Sequence, residues 1–443
     1  MKFLKRTILT LLLTSFICVG TLSTSAIAAD IVEQSEIEEI IAVAEVFGDG
    51  EKITAAILKY PKVIRPRTLT LNTFYVEGRT IESVYLNDKA EVNEISNEGN
   101  YIIIKFENHN TAYDGALSKK PNKKIQSNDQ GKPKGDAPMF SDRQLPNLSL
   151  NLKQIGTLIA TDGTIFLPNN QLITADIVKA DPIDSFKQFT YTDVKTGLSM
   201  PYNLFLPKNY DSNKKYPLVL FIADASANIN EVTTPLFQGN GATIWATDEE
   251  QAKNECIVLA PQYTRDLIDQ IGMMTTDENK WTPGLNLVTN LLFDVINNYS
   301  VDENRIYGTG QSQGGMANIA ISDKYPDLFA AQYLVACQWN VDEMEILKNK
   351  NLWITVCQGD TKAFPGMNAA VDRWTSLGAK VARNKNFFDS KDSIEKINKK
   401  VQEIIDQNAN INYTVFKDGN HMYTWTFAYN IDLIRDWLFK HSK

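Results

Sequence analysis

Histidine is scarce in this chain: only three occur among 443 residues, at positions 109, 421 and 441. Any chemistry that needs an imidazole therefore has few candidates. Cysteine is nearly as rare. Of the four, Cys18 lies in the first apolar stretch, which leaves Cys256, Cys337 and Cys357. Three thiols allow one disulfide at most, so the fold does not depend on staples. All three sit in apolar, strand-like contexts, where buried free thiols are expected. No cysteine or histidine spacing suits a structural zinc site. Beyond residue 19 there is no long apolar run, which excludes a transmembrane helix from the rest of the sequence. Positive charge is in deficit, with 45 Lys and Arg against 53 Asp and Glu and a net charge of −8. Such a chain has no electrostatic footing for nucleic acid or an anionic membrane.

What is present begins with a leader. Lys2, Lys5 and Arg6 precede an apolar stretch, Ile8–Val19, and then Ala26-Ile27-Ala28. A charged start, an apolar core and an A-x-A site make a secretory signal peptide over residues 1–28. The run is short for a membrane span, and Cys18 follows Phe16-Ile17 rather than small residues, which argues against a lipid anchor. Cleavage at this site removes three positive charges and no negative ones, so −8 becomes −11. The expectation is a secreted chain that begins at or next to Ala29 and does not insert in a membrane.

The most informative segment is residues 303–329, ENRIYGTGQSQGGMANIAISDKYPDLF. Arg305–Thr309 is β-rich, Gly310-Gln311-Ser312-Gln313-Gly314 follows, and Gly315–Tyr325 suits a helix. A serine on a sharp strand-to-helix turn stands clear of the backbone, where a base can reach its hydroxyl. Glycines on either side allow a strained backbone and close packing of helix on strand. The amide of Gln313, at the helix start, then faces a reacting carbonyl. The pattern is short, and a glycine-rich helix entry is its plain alternative. The strand–turn–helix setting favours a nucleophile.

A serine nucleophile needs a base. His109 lies in a differently composed region, and His441 is third from the end. His421, in VFKDGNHMYTW, falls in a loop between a strand at Asn412–Phe416 and a closing helix over about Thr424–Phe439. The order Ser, Asp, His accompanies Gly-x-Ser-x-Gly turns of this kind. The acid is expected at Asp360, which directly follows a buried strand, Leu352–Cys357; active sites of parallel α/β sheets gather at that edge. Asp372, Asp389 and Asp392 are its rivals, the first within a helix and the others in a polar insertion.

The composition divides the mature chain, about 415 residues, in two. Residues 29–185 hold short β-like runs at Lys52–Leu58, Leu69–Val76, Thr80–Leu86, Tyr101–Phe106, Gly156–Ile159 and Thr164–Leu167, spaced as in a sandwich. Gly48-Asp49-Gly50 could turn a hairpin, although Ile37, Ile40, Ile41 and Ala44 also fit a helix. Ser118–Pro138 reads as a solvated loop rich in Lys, Pro and Gly. From residue 186 to 443, strands alternate with helices. Lys187–Thr192 and Tyr202–Leu206 suit an antiparallel pair. Tyr216–Ala223 and Cys256–Ala260 are continuous apolar strands, as buried parallel strands should be. Ala331–Ala336 adds another, and Ile394, Ile397, Val401, Ile404 and Ile405 mark an amphipathic helix in an insertion, Asn384–Ile411. This alternation predicts an α/β fold with a doubly wound, mostly parallel sheet.

Several of these segments carry a resemblance. Tyr216–Phe221, Leu259-Ala260-Pro261-Gln262-Tyr263, Val301–Tyr307 running into Gly310–Gly315, Tyr325–Ala331, Gly359-Asp360 and Gly419-Asn420-His421 with Trp425 resemble the α/β-hydrolase superfamily. The likeness is to its secreted esterase and polyhydroxyalkanoate-depolymerase-like branch, near the prolyl oligopeptidases. Residues 29–185, with Phe74–Leu86 as the best match, resemble the Ig-like domain that precedes some of these esterases. One departure matters. Such proteins usually have His-Gly after the first parallel strand, before the second amide of the oxyanion hole. Here the chain reads Phe221-Ile222-Ala223-Asp224-Ala225-Ser226. The amide of Ala225 can still serve with that of Gln313, provided the Asp224 carboxylate points away.

The resemblance implies a secreted serine hydrolase, a carboxylesterase first, with Ser312 as nucleophile, His421 as base and Asp360 as acid. It implies a small-molecule or polymer ester as substrate and no cofactor or metal. A peptidase shares the scaffold and is the runner-up; a surface-binding protein with a degenerate hydrolase domain is the alternative outside enzymes. Trp281, Trp339, Trp425 and Tyr263 are expected near the catalytic edge, as pocket walls or as ordinary packing. The N-terminal domain is expected to tune access without supplying catalytic groups.

Overall fold

The computed structural model describes residues 36–92, 95–96, 98–107 and 145–443. The leader, His109 and the Ser118–Pro138 segment lie outside them. Residues 36–443 form one compact unit.

The N-terminal half is all β. Strands β1 (Glu39–Phe47) and β2 (Gly50–Lys59) form an antiparallel hairpin. Burial settles the helix-or-strand ambiguity of the first arm: Ile40, Ala42 and Ala44 are buried while their neighbours are less so, a period of two. Then come β3 (Phe74–Val76), β4 (Ile81–Asn87), β5 (Tyr101–Phe106), β6 (Asn151–Gln154), β7 (Leu158–Ile159), β8 (Ile165–Phe166), β9 (Ile173–Thr174) and β10 (Ile177–Lys179). A five-stranded sheet in the order β10-β1-β2-β5-β4 faces a small sheet, β3-β6-β9. Ile40, Leu58, Ile102 and Ile104 of the first sheet share one core with Phe74, Val76 and Leu152 of the second. Tyr60 spans that core, donating from its hydroxyl to Gln154 Oε1 at 2.7 Å. The Leu69–Val76 segment is only partly a strand. Pro66 starts a 3₁₀ turn and a Thr70/Thr73 capping box starts another, so extended chain begins at Phe74.

A one-turn helix, α1 (Asp181–Asp184), leads into β11 (Lys187–Thr192) and β12 (Ser199–Phe205), then β13 (Tyr216–Ile222). Helices α2 (Thr234–Phe237) and α3 (Asp248–Lys253) precede β14 (Ile257–Pro261), and α4 (Arg265–Ile271) and α5 (Pro283–Asn298) follow it. The remainder is β15 (Val301–Gln311), α6 (Gln313–Lys324), β16 (Ala331–Val335), β17 (Leu352–Cys357), α7 (Ala363–Ser376), β18 (Val381–Arg383), α8 (Ile394–Ile405), β19 (Ile411–Phe416), α9 (Trp425–Ala428) and α10 (Asp432–Phe439). These strands form one sheet in the order β11-β12-β14-β13-β15-β16-β17-β19-β18. Pairing is antiparallel through β11, β12 and β14, and parallel beyond. β13, β14, β16, β17 and β19 are buried along their whole length, because helices cover both faces.

Two details depart from the sequence expectation. The closing helix is broken in two, with Ile431 non-helical between the halves and Asn430 accepting from the Asn240 side chain. The short edge strand β18 had no sequence signal of its own. The C-terminal tail is docked, with the His441 ring 4.4 Å from that of Trp437 and the Lys443 amide donating to Asn304. Cys256, Cys337 and Cys357 are free and buried.

The tip of the β1–β2 hairpin reaches the second half of the molecule. A Cβ on Gly48 would lie 2.0 Å from the Thr426 carbonyl oxygen, and one on Gly239 would lie 3.0 Å from the Gly48 carbonyl oxygen. Only a residue without a side chain fits at Gly48 unless α9 moves. Gly48→Ala is therefore expected to destabilise the protein by about 1–3 kcal/mol, the usual cost of overpacking. It should also lower turnover, because α9 follows the His421 loop. Thermal melting and steady-state rates on the same preparation check this; unchanged values would show that the tip yields freely.

Candidate active site

The site forms where β13, β15, β17 and β19 end. Ser312 sits between β15 and α6 with φ 52° and ψ −119°, a left-handed conformation that costs a non-glycine residue energy and recurs at functional turns. Its amide donates to Val335 of β16 at 3.0 Å, and its carbonyl starts α6 by accepting from Met316. The turn can be this tight because of Gly314. A Cβ there would lie 1.8 Å from the Ile222 carbonyl oxygen, so the helix start presses directly on the end of β13.

His421 follows β19 through Asp418 and Gly419, both with positive φ. Its Nε2 lies 2.7 Å from Ser312 Oγ and its Nδ1 lies 2.5 Å from Asp360 Oδ2. The ring stands edge-on to Trp425 at 5.4 Å. Asp360 is 2% exposed. Its other oxygen, Oδ1, accepts from the amides of Lys362 at 3.0 Å and Ala363 at 2.9 Å, at the start of α7. Burial pushes the Asp360 carboxyl up, but the His421 hydrogen bond and charge and the two amides outweigh it, leaving the carboxyl below its ordinary value. An ionised Asp360 accepts from Nδ1–H. That leaves the Nε2 lone pair to receive the Ser312 hydroxyl proton.

The rival acids are engaged elsewhere. Asp389 pairs with Lys417, Asp392 pairs with Lys396 and Lys400, and Asp372 lies within α7.

The amides of Ala225 and Gln313 both stand at helix starts, and among the described residues neither has a protein acceptor. Asp224 is turned away from them. It is 4% exposed, its Oδ1 accepts from the Ser226 amide at 2.7 Å, and its Oδ2 accepts from Gln238 Nε2 at 2.7 Å and Gln311 Nε2 at 3.1 Å. Further amide side chains fix the same loop. Asn228 donates to Gln313 Oε1 at 3.2 Å, and Gln262 donates to the carbonyls of Ala227 and Ile229. Sequence reasoning gave no role to Gln238, Gln311, Asn228 and Gln262; the signals were that Gln311 precedes Ser312 and that Gln262 lies in the Leu259–Tyr263 segment.

The four aromatic candidates separate. Trp425 touches His421. Tyr263 is buried and donates to the Gly272 carbonyl at 2.7 Å, and Trp339 is buried with its indole on Glu343 at 2.7 Å. The Trp281 ring lies under the Lys324 ammonium and edge-on to Tyr325, at the far end of α6 from Ser312. Twelve helical residues at 1.5 Å each put about 18 Å of helix between that end and the elbow. A cleft of about 850 Å³ lies between Lys179, Phe189 and Asp248 and includes none of Ser312, Asp360 and His421. No three His, Cys, Asp or Glu side chains converge to hold a metal among the described residues.

Residues 39–167 match the family model of the esterase Ig-like N-terminal domain. Among solved structures, a thermostable esterase is similar over 92% of this chain and 100% of its own, with a TM-score of 0.72 and 23% identity. A mutant of the feruloyl esterase module from Clostridium thermocellum, complexed with sinapinate, aligns with 58% of this chain and 87% of its own, with a TM-score of 0.39 and 16% identity. S-formylglutathione hydrolase from Staphylococcus aureus aligns with 57% of this chain and 96% of its own, with a TM-score of 0.36 and 12% identity. No curated protein matches the chain.

Proposed function

Starting from an α/β-hydrolase fold that follows an esterase-type Ig-like domain, we propose that this protein is a serine carboxylesterase working through an acyl-enzyme on Ser312. The observation that carries the reading is the hydrogen-bonded line Asp360–His421–Ser312, at 2.5 and 2.7 Å. Ser312 Oγ attacks the ester carbonyl carbon while His421 Nε2 takes the hydroxyl proton. The carbonyl oxygen becomes an oxyanion, which the amides of Gln313 and Ala225 stabilise. Collapse breaks the bond to the alcohol, which leaves with the proton from His421. Water then attacks the acyl group, His421 takes its proton, and the acid departs as Ser312 is restored. Asp360 holds the imidazole and stabilises the imidazolium. No step calls for a cofactor.

An ester is favoured over a peptide because the structurally similar thermostable esterase aligns with 92% of this chain, across both halves. Residues 1–28 direct export in this reading. No helix among the described residues is long and apolar enough to cross a membrane.

The test is labelling with a fluorophosphonate probe. Protein recovered from the medium of a secreting host should hydrolyse short-chain chromogenic esters and carry one adduct on Ser312. Its intact mass should place the N-terminus at or next to Ala29. An adduct elsewhere, or none on protein that turns over ester, would remove Ser312 from its role. Faster cleavage of peptides than of esters would favour the peptidase.

A further inference from the structure

We infer that Asp224 is a positioning residue of the oxyanion hole, an inference that rests on the esterase reading above. A carboxylate immediately before Ala225 would oppose a developing oxyanion if it faced the reacting carbonyl. Its hydrogen bonds give it a different part.

Asp224 caps the short turn Ala225–Ala227. Its side chain takes the Ser226 amide at 2.7 Å, and its backbone carbonyl takes the Ala227 amide at 3.1 Å. Of the first three amides of the turn, Ala225 alone is left to point outward. The orientation of that amide is thus set by how the carboxylate is held. Gln238 and Gln311 hold it, both from side-chain Nε2 to Oδ2. Gln311 is the residue before Ser312, so the same contact ties the oxyanion turn to the nucleophile's own strand. Gln238 also donates to Ser226 Oγ at 2.6 Å, closing the ring. Three donors converging on one carboxylate spread its charge and face it away from the site. The negative charge of Asp224 therefore serves to collect donors, a task a neutral amide cannot take over.

Asparagine at 224 shows why. One of its side-chain atoms must face the Ser226 amide and the other must face the two glutamine Nε2 groups. Whichever way the amide is turned, a donor meets a donor, and the turn shifts. Displacement of a catalytic group by about 1 Å can cost about 100-fold in rate.

The experiment measures kcat, KM, melting temperature and inhibition by a trifluoromethyl ketone for the full chain and three variants. The ketone forms a tetrahedral oxyanion on the serine; the product acid is the ground-state control. D224N is expected to lower kcat by about 10–100-fold with KM within about twofold, as loss or misplacement of one oxyanion donor would. Ketone affinity should fall by a similar factor while product-acid affinity stays constant. Pairing Asp224→Asn with Gln238→Glu restores a carboxylate opposite an amide at the shorter of the two glutamine contacts and should recover part of the loss. Gln238→Ala, which leaves the carboxylate intact, should give a smaller loss of the same kind and serves if D224N does not fold. Normal turnover in folded D224N overturns the inference. So does a loss of kcat with unchanged ketone affinity, or a Gln238→Ala variant that loses only melting temperature. Failure of the wild type to hydrolyse any ester counts against the esterase reading instead.

Discussion

His421→Ala is expected to lower kcat by about five to six orders of magnitude while the protein stays folded. In serine hydrolases generally, loss of the base alone costs about as much as loss of the whole triad, because the groups act as a unit. Among the described residues the Ser312 hydroxyl has one basic neighbour, Nε2 at 2.7 Å; His441 lies against Trp437, and His109 lies outside those residues. The fold should survive because the His421 side chain is 37% exposed and lies at the end of a loop. A residual rate above that of water is expected from the oxyanion amides and substrate binding. Burst kinetics and circular dichroism on the variant check both halves. Turnover within tenfold of the wild type would mean that another group takes the proton.

The second large effect is expected of Asp360→Asn, at about 10⁴ in kcat. The substitution keeps the shape and loses the charge. With Oδ1 still accepting from Lys362 and Ala363 at the start of α7, the new amide nitrogen faces His421 Nδ1. An N–H at that place donates to Nδ1 and moves the imidazole proton to Nε2, where it confronts the Ser312 hydroxyl. Binding should be spared, so KM should change little. In the wild type, Asp360 lies below the ordinary carboxylate range, so its own protonation should not limit turnover until the pH falls below that range. Near-normal turnover of the asparagine variant would show that the acid does not act through the tautomer.

Much of this site is local in sequence, and that part was legible. The elbow needs only a strand, five residues and a helix, and the glycine at 314 is required by contact with the end of β13, the strand that adjoins β15. His421 was reached by scarcity, and Asp360 by its place at a strand end. The supports of the site are not local. Gln238 reaches Asp224 across 14 residues, Gln311 reaches it across 87, and Asn228 reaches Gln313 across 85. An amide side chain carries no periodic signal, so nothing in the sequence distinguished Gln238 from a surface glutamine. The aromatic candidates show the complementary weakness. Knowing that Trp281 follows a sheet strand says which edge of the sheet it leaves, but not how far along α6 its loop then travels. Strands of two to four residues, such as β8, β9 and β18, are too short for alternation to show.

The hairpin tip at Gly48 carries a consequence for the order in which the molecule is made. Synthesis runs from the N-terminus, and domains fold as units as they emerge. The tip exists before either surface that will hold it. The Phe237–Gly239 segment, whose Gln238 grips Asp224, is made about 190 residues later, and Thr426 arrives among the last twenty. In chain order the hairpin precedes both surfaces it meets, and the segment that follows the His421 loop is the later of the two. A chain begun near Pro182 would keep Ser312, Asp360 and His421 but would lack the hairpin tip that Thr426 and Gly239 pack against.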